Sequence, residues 1–341
     1  MTSLLTALDL PIVGAPMAGG ISTPLLVAAV SDAGGLGMLA AGYRTPEQLA
    51  ADLVHTRDLT ERPFGVNLFV PHRPSRERHE GAVAAYRDRL APEAQALGVE
   101  PGHPSWGDTD HWADKVLLVE TLRPAMVSCT FGVPPAHVVA KWRAAGIEVH
   151  LTVTSLVEAR AALEVEPDAL VVQGHEAGAH RATHDPETEP ELIDHLGLLE
   201  VIAPVVDVPL VAAGGITTAG DVRRALDAGA TAVQVGTALL LAPEAGTSRT
   251  YRAALRDPSL TQRVTTRAFT GRTAGAVRNG FVDRHDGYAP PAFPVVDQIT
   301  KPLRRAASDA GDTDRLHIWA GSGWRAAQER PAGEIVRELG G

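Results

Sequence analysis

The chain has 341 residues, of which 45% are hydrophobic and 21% charged, so it can bury one barrel-sized core or two smaller ones. A net charge of −10, an aromatic content of 4% and the lack of a long apolar run argue against nucleic acids and membranes as partners. A single cysteine, Cys129, excludes an internal disulfide and, with no signal-peptide pattern at the N-terminus, predicts a cytoplasmic protein.

Eight short, almost continuously apolar segments follow one another along the chain, as expected for parallel strands that are buried on both faces. Amphipathic segments fit between them as helices, and this alternation favours a (β/α)8 TIM barrel over an open doubly wound sheet. The predicted strands are residues 12–15, 36–41, 64–70, 125–131, 147–153, 169–173, 208–213 and 232–236.

Two of the predicted helices carry clear boundary signals. Thr23-Pro24 supplies a capping side chain followed by a proline in the first turn, the usual start of a helix. Thr218 can cap the segment AGDVRRALDAGA, which ends at Gly229.

Two segments depart from the repeat. Residues 72–122 are polar and mostly helical, which indicates an insertion after the third strand, and residues 246–341 hold helices and a proline-rich loop. We therefore expect a barrel over residues 1–245, with a helical insertion at about 72–122. Residues 246–341 would form a smaller, mainly helical lobe over the C-terminal face, with the last helix returning to the barrel.

Polar side chains stand at the ends of several apolar strands, where barrel enzymes build their active sites. Asn67, Gln173 and Gln234 are amides in positions that a packed core would not favour unless they had hydrogen-bond partners. Each could bond to neighbouring loop backbone, but three amides on one rim favour a polar ligand.

Glycine-rich tips follow the seventh and eighth predicted strands, in AAGGI (212–216) and QVGTALL (234–240). Barrels often hold a phosphate at these two strand ends. Gly214, Gly215 and Gly236 would let the backbone approach an anion, and the Thr237 hydroxyl could donate to it. Two tight turns without a ligand are the alternative.

The stretch VVQGHEAGAH (171–180) almost spells the zinc motif H-E-x-x-H, but His175 and His180 are one residue too far apart. On a helix this spacing would place them about 140° apart around the axis, so they could not share a metal. Gly174 and Gly178 also disfavour a helix. We expect no metal site here, and a catalytic base or a polar loop remain as interpretations.

Several blocks together resemble the nitronate monooxygenases, flavin enzymes once called 2-nitropropane dioxygenases. Their order and spacing are similar along nearly the whole chain, and the blocks are APMAGG (15–20), GVNLFVP (65–71), VVQGHEAGAH (171–180), PLVAAGGI (209–216), QVGTALL (234–240) and IWAGSG (318–323). The resemblance implies an FMN-bound barrel that uses O2 to oxidise alkyl nitronates, and nitroalkanes as a further class, to a carbonyl compound and nitrite.

The same resemblance assigns roles to individual residues. His180 would be the active-site histidine, able to remove a proton beside a nitro group or to bond to the oxygens of the substrate. Ser128 and Thr130 would face the substrate, and His175 would be a loop residue. The residues implied to hold FMN are Met17, Asn67, Gln173, Gly178, Gly214, Gly215, Gln234, Val235, Gly236 and Thr237.

The chain departs from the family pattern at two positions, and rival functions remain open. Thr130 stands where many members carry a second histidine, and Gly275 stands where an arginine is frequent. The nearest rival is an FMN-dependent enoyl-acyl-carrier-protein reductase using NAD(P)H. Barrels similar to IMP dehydrogenase need a loop cysteine, whereas Cys129 lies within an apolar strand. A barrel that binds a phosphorylated ligand without turnover is the non-enzymatic alternative.

Overall fold

The computed structural model describes residues 3–341. Its strands are β1 (Ile12–Gly14), β2 (Gly37–Ala40), β3 (Phe64–Phe69), β4 (Met126–Thr130), β5 (Glu148–Val153), β6 (Ala169–Gln173), β7 (Ala179–His180), β8 (Leu210–Ala213), β9 (Ala232–Val235), β10 (Arg263–Thr266) and β11 (Ala274–Val277).

The helices surround these strands, and none within residues 3–341 has both the length and the apolar character needed to cross a bilayer. They are α1 (Pro24–Asp32), α2 (Pro46–Leu59), α3 (Arg76–Arg89), α4 (Ala91–Ala96), α5 (Trp112–Leu122), α6 (Ala136–Ala144), α7 (Leu156–Leu163), α8 (His195–Ile202), α9 (Ala219–Asp227), α10 (Arg249–Arg256), α11 (Gly280–His285), α12 (Val295–Ala310) and α13 (Ala332–Gly340).

Eight parallel strands form the barrel, in the order β1-β9-β8-β6-β5-β4-β3-β2. A parallel bridge between Val13 and Leu36 brings β1 to the start of β2 and closes the ring. All eight predicted strands are present, and the predicted (β/α)8 architecture is confirmed. Helices between successive strands pack on the outside, where the largest apolar core lies between the sheet and the helices.

The two helix starts read from the sequence are also confirmed. The Thr23 hydroxyl accepts a hydrogen bond from the backbone N–H of Leu26, at 3.1 Å, and so caps α1. Thr218 caps α9 in the same way, and the Asp221 side chain bonds back to the backbone of Thr218, which completes a capping box. These caps satisfy backbone groups that would otherwise lack partners at the helix ends.

A lobe with its own apolar core covers the C-terminal mouth of the barrel. It joins α3 and α4 to α11 and α12 around buried side chains that include Tyr86, Phe269, Phe281 and Leu303. It also contains a three-stranded antiparallel sheet, β10-β11-β7, so the lobe is helical with a small sheet.

α5, which falls in the predicted insertion, and α13, the last helix and expected to return to the barrel, both pack against barrel elements. α5 contacts α2, β3 and α6, and therefore occupies the place of the helix that follows β3. α13 contacts α1, α9 and β1, so the end of the chain lies beside its beginning.

Candidate active site

A cleft opens at the C-terminal mouth of the barrel, between the strand ends and the lobe. It encloses about 1160 Å³ between atoms, part of it open to solvent. Twelve of the thirteen residues proposed from the sequence line it, namely Met17, Asn67, Ser128, Thr130, Gln173, Gly178, His180, Gly214, Gly215, Gln234, Gly236 and Thr237. Val235 is the exception: its side chain is buried in the core between the sheet and the helices.

The alternation of side chains along each strand explains which residues reach the cleft. In β6, Ala169 and Val171 belong to the core inside the barrel, whereas Leu170 and Val172 belong to the core outside it. Gln173 continues the inward-facing set, because alternate residues of a strand share a face. The barrel interior is therefore apolar at one end and polar at the end where the lobe lies.

The same alternation orients β9 and β4. Ala232 lies in the inner core and Val235 in the outer one, so Gln234 faces the axis. In β4, Met126 lies in the inner core, which puts Ser128 and Thr130 on the inward face. The neighbours of Val235 in the chain, Gln234 and Gly236, line the cleft.

Asn67 organises a polar network on one wall of the cleft. Its Nδ2 donates to the Ser128 hydroxyl at 2.9 Å and to the Thr130 hydroxyl at 2.9 Å. The Thr130 and Thr152 hydroxyls are 3.5 Å apart. Thr130, at the position where a second histidine is frequent, thus orients the Asn67 amide, and the carboxamide oxygen is left for another donor.

Gln173 fixes the loop that carries His180. Its Nε2 donates to the His180 carbonyl at 3.2 Å, and its Oε1 accepts from the Ala182 N–H at 2.9 Å. The hydrogen bonds of this amide therefore go to loop backbone, which was the alternative to ligand binding. Gln173 also lines the cleft, so contact of the same side chain with a ligand stays a prediction.

Glycines bring three backbone segments close together at one end of the cleft. Gly214 and Gly215 have φ angles of +109° and +71°, which favour glycine. A Cβ at Gly215 would lie 2.9 Å from the Ser322 hydroxyl, and one at Gly178 would lie 2.6 Å from the Gly321 nitrogen.

Unused backbone donors make this end of the cleft suitable for an anion. The N–H groups of Gly215, Gly236 and Thr237 have no acceptor within residues 3–341. The Thr237 hydroxyl accepts from the Gly321 N–H at 3.0 Å and keeps its own proton free to donate. Grouped N–H donors and a hydroxyl fit the phosphate of a cofactor.

His180 is held over the cleft by the small sheet of the lobe. It pairs with Ala274 of β11, directly after Ala179, which has a φ of +59° that is unusual for a non-glycine residue. Its Nε2 lies 2.9 Å from the Thr270 hydroxyl, and its Nδ1 has no hydrogen-bond partner within residues 3–341. The loop that carries His180 comes from the barrel, and the lobe fixes the orientation of the imidazole ring.

Aromatic rings surround His180, and its burial lowers the pKa of the imidazole. Its ring centroid lies 5.7 Å from that of Phe131, 5.3 Å from that of Phe293 and 5.7 Å from that of Trp319. Burial, reinforced by the positive charges of Arg272 and Arg304, lowers the pKa of His180 to about 3. The imidazole is therefore neutral at physiological pH and can accept a proton or a hydrogen bond.

Sequence reasoning missed the partners that the lobe contributes. Thr270, Phe293 and the cleft-lining Tyr251 carried no recognisable signal, because each reaches the site only through the tertiary fold. Trp319 and Gly321 lie in the closing IWAGSG block, so the block itself was the available signal.

The glycine at position 275 has a local explanation. A Cβ there would lie 2.5 Å from the Ala177 carbonyl oxygen. The Arg263 guanidinium occupies the adjoining space and donates to the carbonyls of His175 and Ala177, at 2.8 Å and 2.7 Å. An arginine from β10 therefore braces the histidine loop, and no side chain fits at Gly275.

Known proteins are similar in sequence to nearly the whole of this chain. A family model described as nitronate monooxygenase matches residues 2–340. The chain is 39% identical to a nitronate monooxygenase of Pseudomonas aeruginosa, over 98% of this chain and 96% of the relative. It is 33% identical to a probable nitronate monooxygenase of Staphylococcus aureus (strain Newman), over 99% and 95% respectively.

Solved structures share the fold. A nitroalkane oxidase from Streptomyces ansochromogenes superposes with a TM-score of 0.94 at 43% identity, covering 98% of this chain and 96% of the other. FabK from Thermotoga maritima superposes with a TM-score of 0.74 at 24% identity, covering 98% and 93%, and this likeness shows the fold alone. The similarities extend over both the barrel and the lobe.

Proposed function

Because this chain belongs to the nitronate monooxygenase family, we propose that it uses O2 to oxidise alkyl nitronates to a carbonyl compound and nitrite. Nitroalkanes are the further substrate class. The observation that carries the proposal is a neutral imidazole, His180, on the wall of a cleft that ends in a glycine-rich cradle. A small organic nitro compound and O2 are the reactants that this cleft would admit.

Members of this family are flavin enzymes, and we propose FMN as the flavin. The cradle of unused N–H groups at Gly215, Gly236 and Thr237 supports a terminal phosphate. The ring would lie along Met17, Asn67 and Gln173, and Gly178, Gly214, Gln234 and the Val235 backbone would border the ribityl chain. When bound, the flavin supplies the redox chemistry; the protein supplies binding, orientation and electrostatics.

His180 acts at a defined atom in this proposal. The Thr270 hydroxyl lies 3.3 Å from the Arg272 carbonyl, to which it can donate while it accepts from His180 Nε2–H. That pattern leaves Nδ1 as the basic nitrogen, which removes the proton from the carbon next to a neutral nitro group. With a preformed nitronate no proton has to be removed, and the ring only orients the substrate.

The neighbouring side chains would set the conditions for this step. Phe131, Phe293 and Trp319 exclude water from one side of the imidazole. Ser128 and Thr130 also line the cleft, where their hydroxyls would contact the substrate. A dry pocket strengthens each electrostatic contact inside it.

The rival functions have less support. The relatives that share 33–43% identity with the chain are nitronate and nitroalkane enzymes, which disfavours an NAD(P)H-dependent enoyl-acyl-carrier-protein reductase. Cys129 is fully buried and burial raises the pKa of its thiol, so it does not fit a nucleophilic cysteine. A lone buried cysteine also supports the expected cytoplasmic location.

The test combines two anaerobic mixing experiments on the purified protein. We expect an oxidised flavin spectrum that is bleached by an alkyl nitronate and not by NADH. Bleaching by NADH alone would favour the reductase, and a colourless protein would favour a non-enzymatic binder.

The variant His180→Asn should retain FMN and lose turnover of neutral nitroalkanes by about 10²-fold or more, while turnover of nitronates falls less. Equal losses on both would contradict the role as a base.

A further inference from the structure

Arg272 is a buried guanidinium without a carboxylate partner. Its side chain is 0% exposed, and within residues 3–341 it forms no ion pair. Nη1 donates to the Thr183 carbonyl at 2.7 Å, but Nε and Nη2 are buried without any hydrogen-bond partner. Burying such a charge destabilises the folded state, since neither a counter-charge nor a full set of hydrogen bonds offsets its loss of hydration.

The surrounding charges do not neutralise it at close range. The carboxylates of Glu158 and Asp185 and the phenol of Tyr43 favour its charged form from a distance, and Arg267 opposes it. Glu158 is occupied by hydrogen bonds from Thr154 and His184. Burial lowers the pKa of Arg272 to about 9, which still leaves the guanidinium charged at neutral pH.

The charge lies directly behind the wall of the cleft. The guanidinium stacks on the Phe131 ring, with its Cζ 3.9 Å from the ring centroid. The Phe131 centroid is in turn 5.7 Å from that of His180, so the two distances place the charge within about 10 Å of the imidazole. The same loop supplies Thr270, whose hydroxyl accepts from the Arg272 N–H at 3.3 Å.

Arg181 and Arg263 also form no ion pair within residues 3–341, and they donate to loop carbonyls of Gln173 and His175 respectively. The cations that act on His180 are Arg272 and Arg304. Arg304 also acts on His180, but its guanidinium pairs with Asp297 at 2.6 Å, so the pair carries little net charge. The protein as a whole has a net charge of −10 and would repel anions at long range. In the holoenzyme the N–H cradle would hold the cofactor phosphate, so a preference for an anionic substrate would come from a local cation.

The geometry points to Arg272 as the residue that sets the charge specificity of the site. Acting through Phe131 and without touching the substrate, its guanidinium favours anionic substrates over neutral ones of the same shape. This inference rests on the proposed function, because it explains why a nitronate, which is an anion, is accepted beside a neutral histidine. It makes Arg272 a positioning residue that acts on substrate charge.

The test measures binding of inert ligands to the holoenzyme by calorimetry, so it does not depend on turnover. Isobutyrate and isobutyramide have nearly the shape of 2-nitropropane, and only the first is an anion. We expect wild type to bind isobutyrate about tenfold more tightly than isobutyramide, the ratio for a unit charge about 10 Å away at an effective dielectric constant of about 20. The ratio should change little between low and high salt, because a buried charge is screened less than an exposed one.

Variants separate the charge from the packing of the side chain. In Arg272→Met the affinity for isobutyrate relative to isobutyramide should fall close to one. Arg272→Lys should keep most of the preference for isobutyrate. The control Arg87→Met removes a lobe arginine that bonds to the carbonyls of Pro101 and Gly102, and it should leave the ratio unchanged. Flavin content and melting temperature show whether each variant is folded.

The outcomes distinguish the inference from the proposed function. Equal binding of the two ligands by wild type would overturn the inference even if Arg272→Met does not fold. An unchanged ratio in folded Arg272→Met would overturn it as well. If the anion preference is present and depends on Arg272 while nitronates are not oxidised, the proposed function fails and the charge specificity stands.

Discussion

His180 Nε2 and the Thr270 hydroxyl lie 2.9 Å apart, although 90 residues separate them along the chain. The histidine belongs to the loop after β6, and the threonine belongs to the turn before β11 of the lobe. This hydrogen bond and the β7–β11 pairing join the two parts of the site. The tautomer of the imidazole is therefore set by the lobe.

Thr270→Val removes the hydroxyl and nearly preserves the shape of the side chain. We expect kcat/KM for neutral nitroalkanes to fall by about two- to tenfold, which corresponds to one net hydrogen bond. Turnover of preformed nitronates should change less, because it needs no proton transfer to Nδ1. The control Thr121→Val removes a helix hydroxyl that bonds only to the Leu117 carbonyl and should leave both substrates unaffected. Equal losses on both substrates would contradict the role given to Thr270.

The pH profile should reveal the lowered pKa of His180. A histidine with a pKa near 6.5 would be only about 3% neutral at pH 5. Because burial lowers the pKa of His180 to about 3, the ring stays neutral above that value and its ability to accept a proton is lost only as the pH falls through it. We expect kcat/KM for a neutral nitroalkane to show no inflection near pH 6.5, measured from pH 8 to pH 5. An acid limb with a midpoint of 6 to 7, absent in His180→Asn, would disprove this.

Gly215→Ala tests the cradle. Alanine at a φ of +71° carries a strain of about 1 kcal/mol, and its Cβ would also lie 3.0 Å from the Glu176 Cβ. We expect flavin affinity to fall at least about tenfold, measured by fluorescence on reconstitution. Gly146→Ala is the matched control, because it has a φ of +80° with nothing within 4 Å of the added Cβ. Both variants carry a similar backbone strain, and a similar loss of flavin from both would argue against the cradle.

Glu93→Gln tests what holds the lobe together. The Glu93 carboxylate accepts from Arg284 at 2.6 Å, from His285 at 2.9 Å and from Arg315 at 2.6 Å. Although burial opposes ionisation, these bonds lower the pKa of Glu93 to about 2. The carboxylate therefore stabilises the fold fully above about pH 4.5 and loses this effect as the pH falls towards 2.

The expected result for Glu93→Gln is a loss of about 2 kcal/mol at pH 7, since the two guanidinium groups are partly exposed to solvent. The loss should shrink as the pH falls below 4.5, because the unfolded wild-type chain then binds a proton at Glu93 that the folded state, with its pKa of about 2, does not bind. Urea unfolding at several pH values measures both effects. Glu80→Gln breaks an exposed pair with Arg76 and should hardly change the midpoint. A deficit that is the same at pH 7 and pH 3 would show that the charge is not responsible.

The barrel could be predicted because buried parallel strands leave a strong local pattern. Each strand is a short apolar run, and in several of them the inward-facing position near the end is polar, as at Gln173 and Gln234. A polar side chain at the end of an apolar run is visible without any tertiary information. These polar positions of the rim were therefore predictable from the sequence.

The lobe could not be predicted to the same depth, because its contacts are not local. β7 has only two residues, which is too short for a period-two pattern, and it exists because β11 pairs with it. α5 lies between His111 and Arg123, which are both in left-handed backbone, and His111 makes no side-chain cap. Neither end carries a standard boundary residue, so the sequence interpretation merged α5 with the inserted helices before it.

The cradle at Gly178 and Gly215 is completed by Gly321 and Ser322, which approach both glycines closely. A ribosome that has released residues 1–245 has therefore made every barrel strand but not the segment that closes the cofactor end of the cleft. Until Gly321 and Ser322 have been added, the nascent barrel lacks this side of the cradle. A flavin would therefore meet its complete cradle only after all the barrel strands have been made.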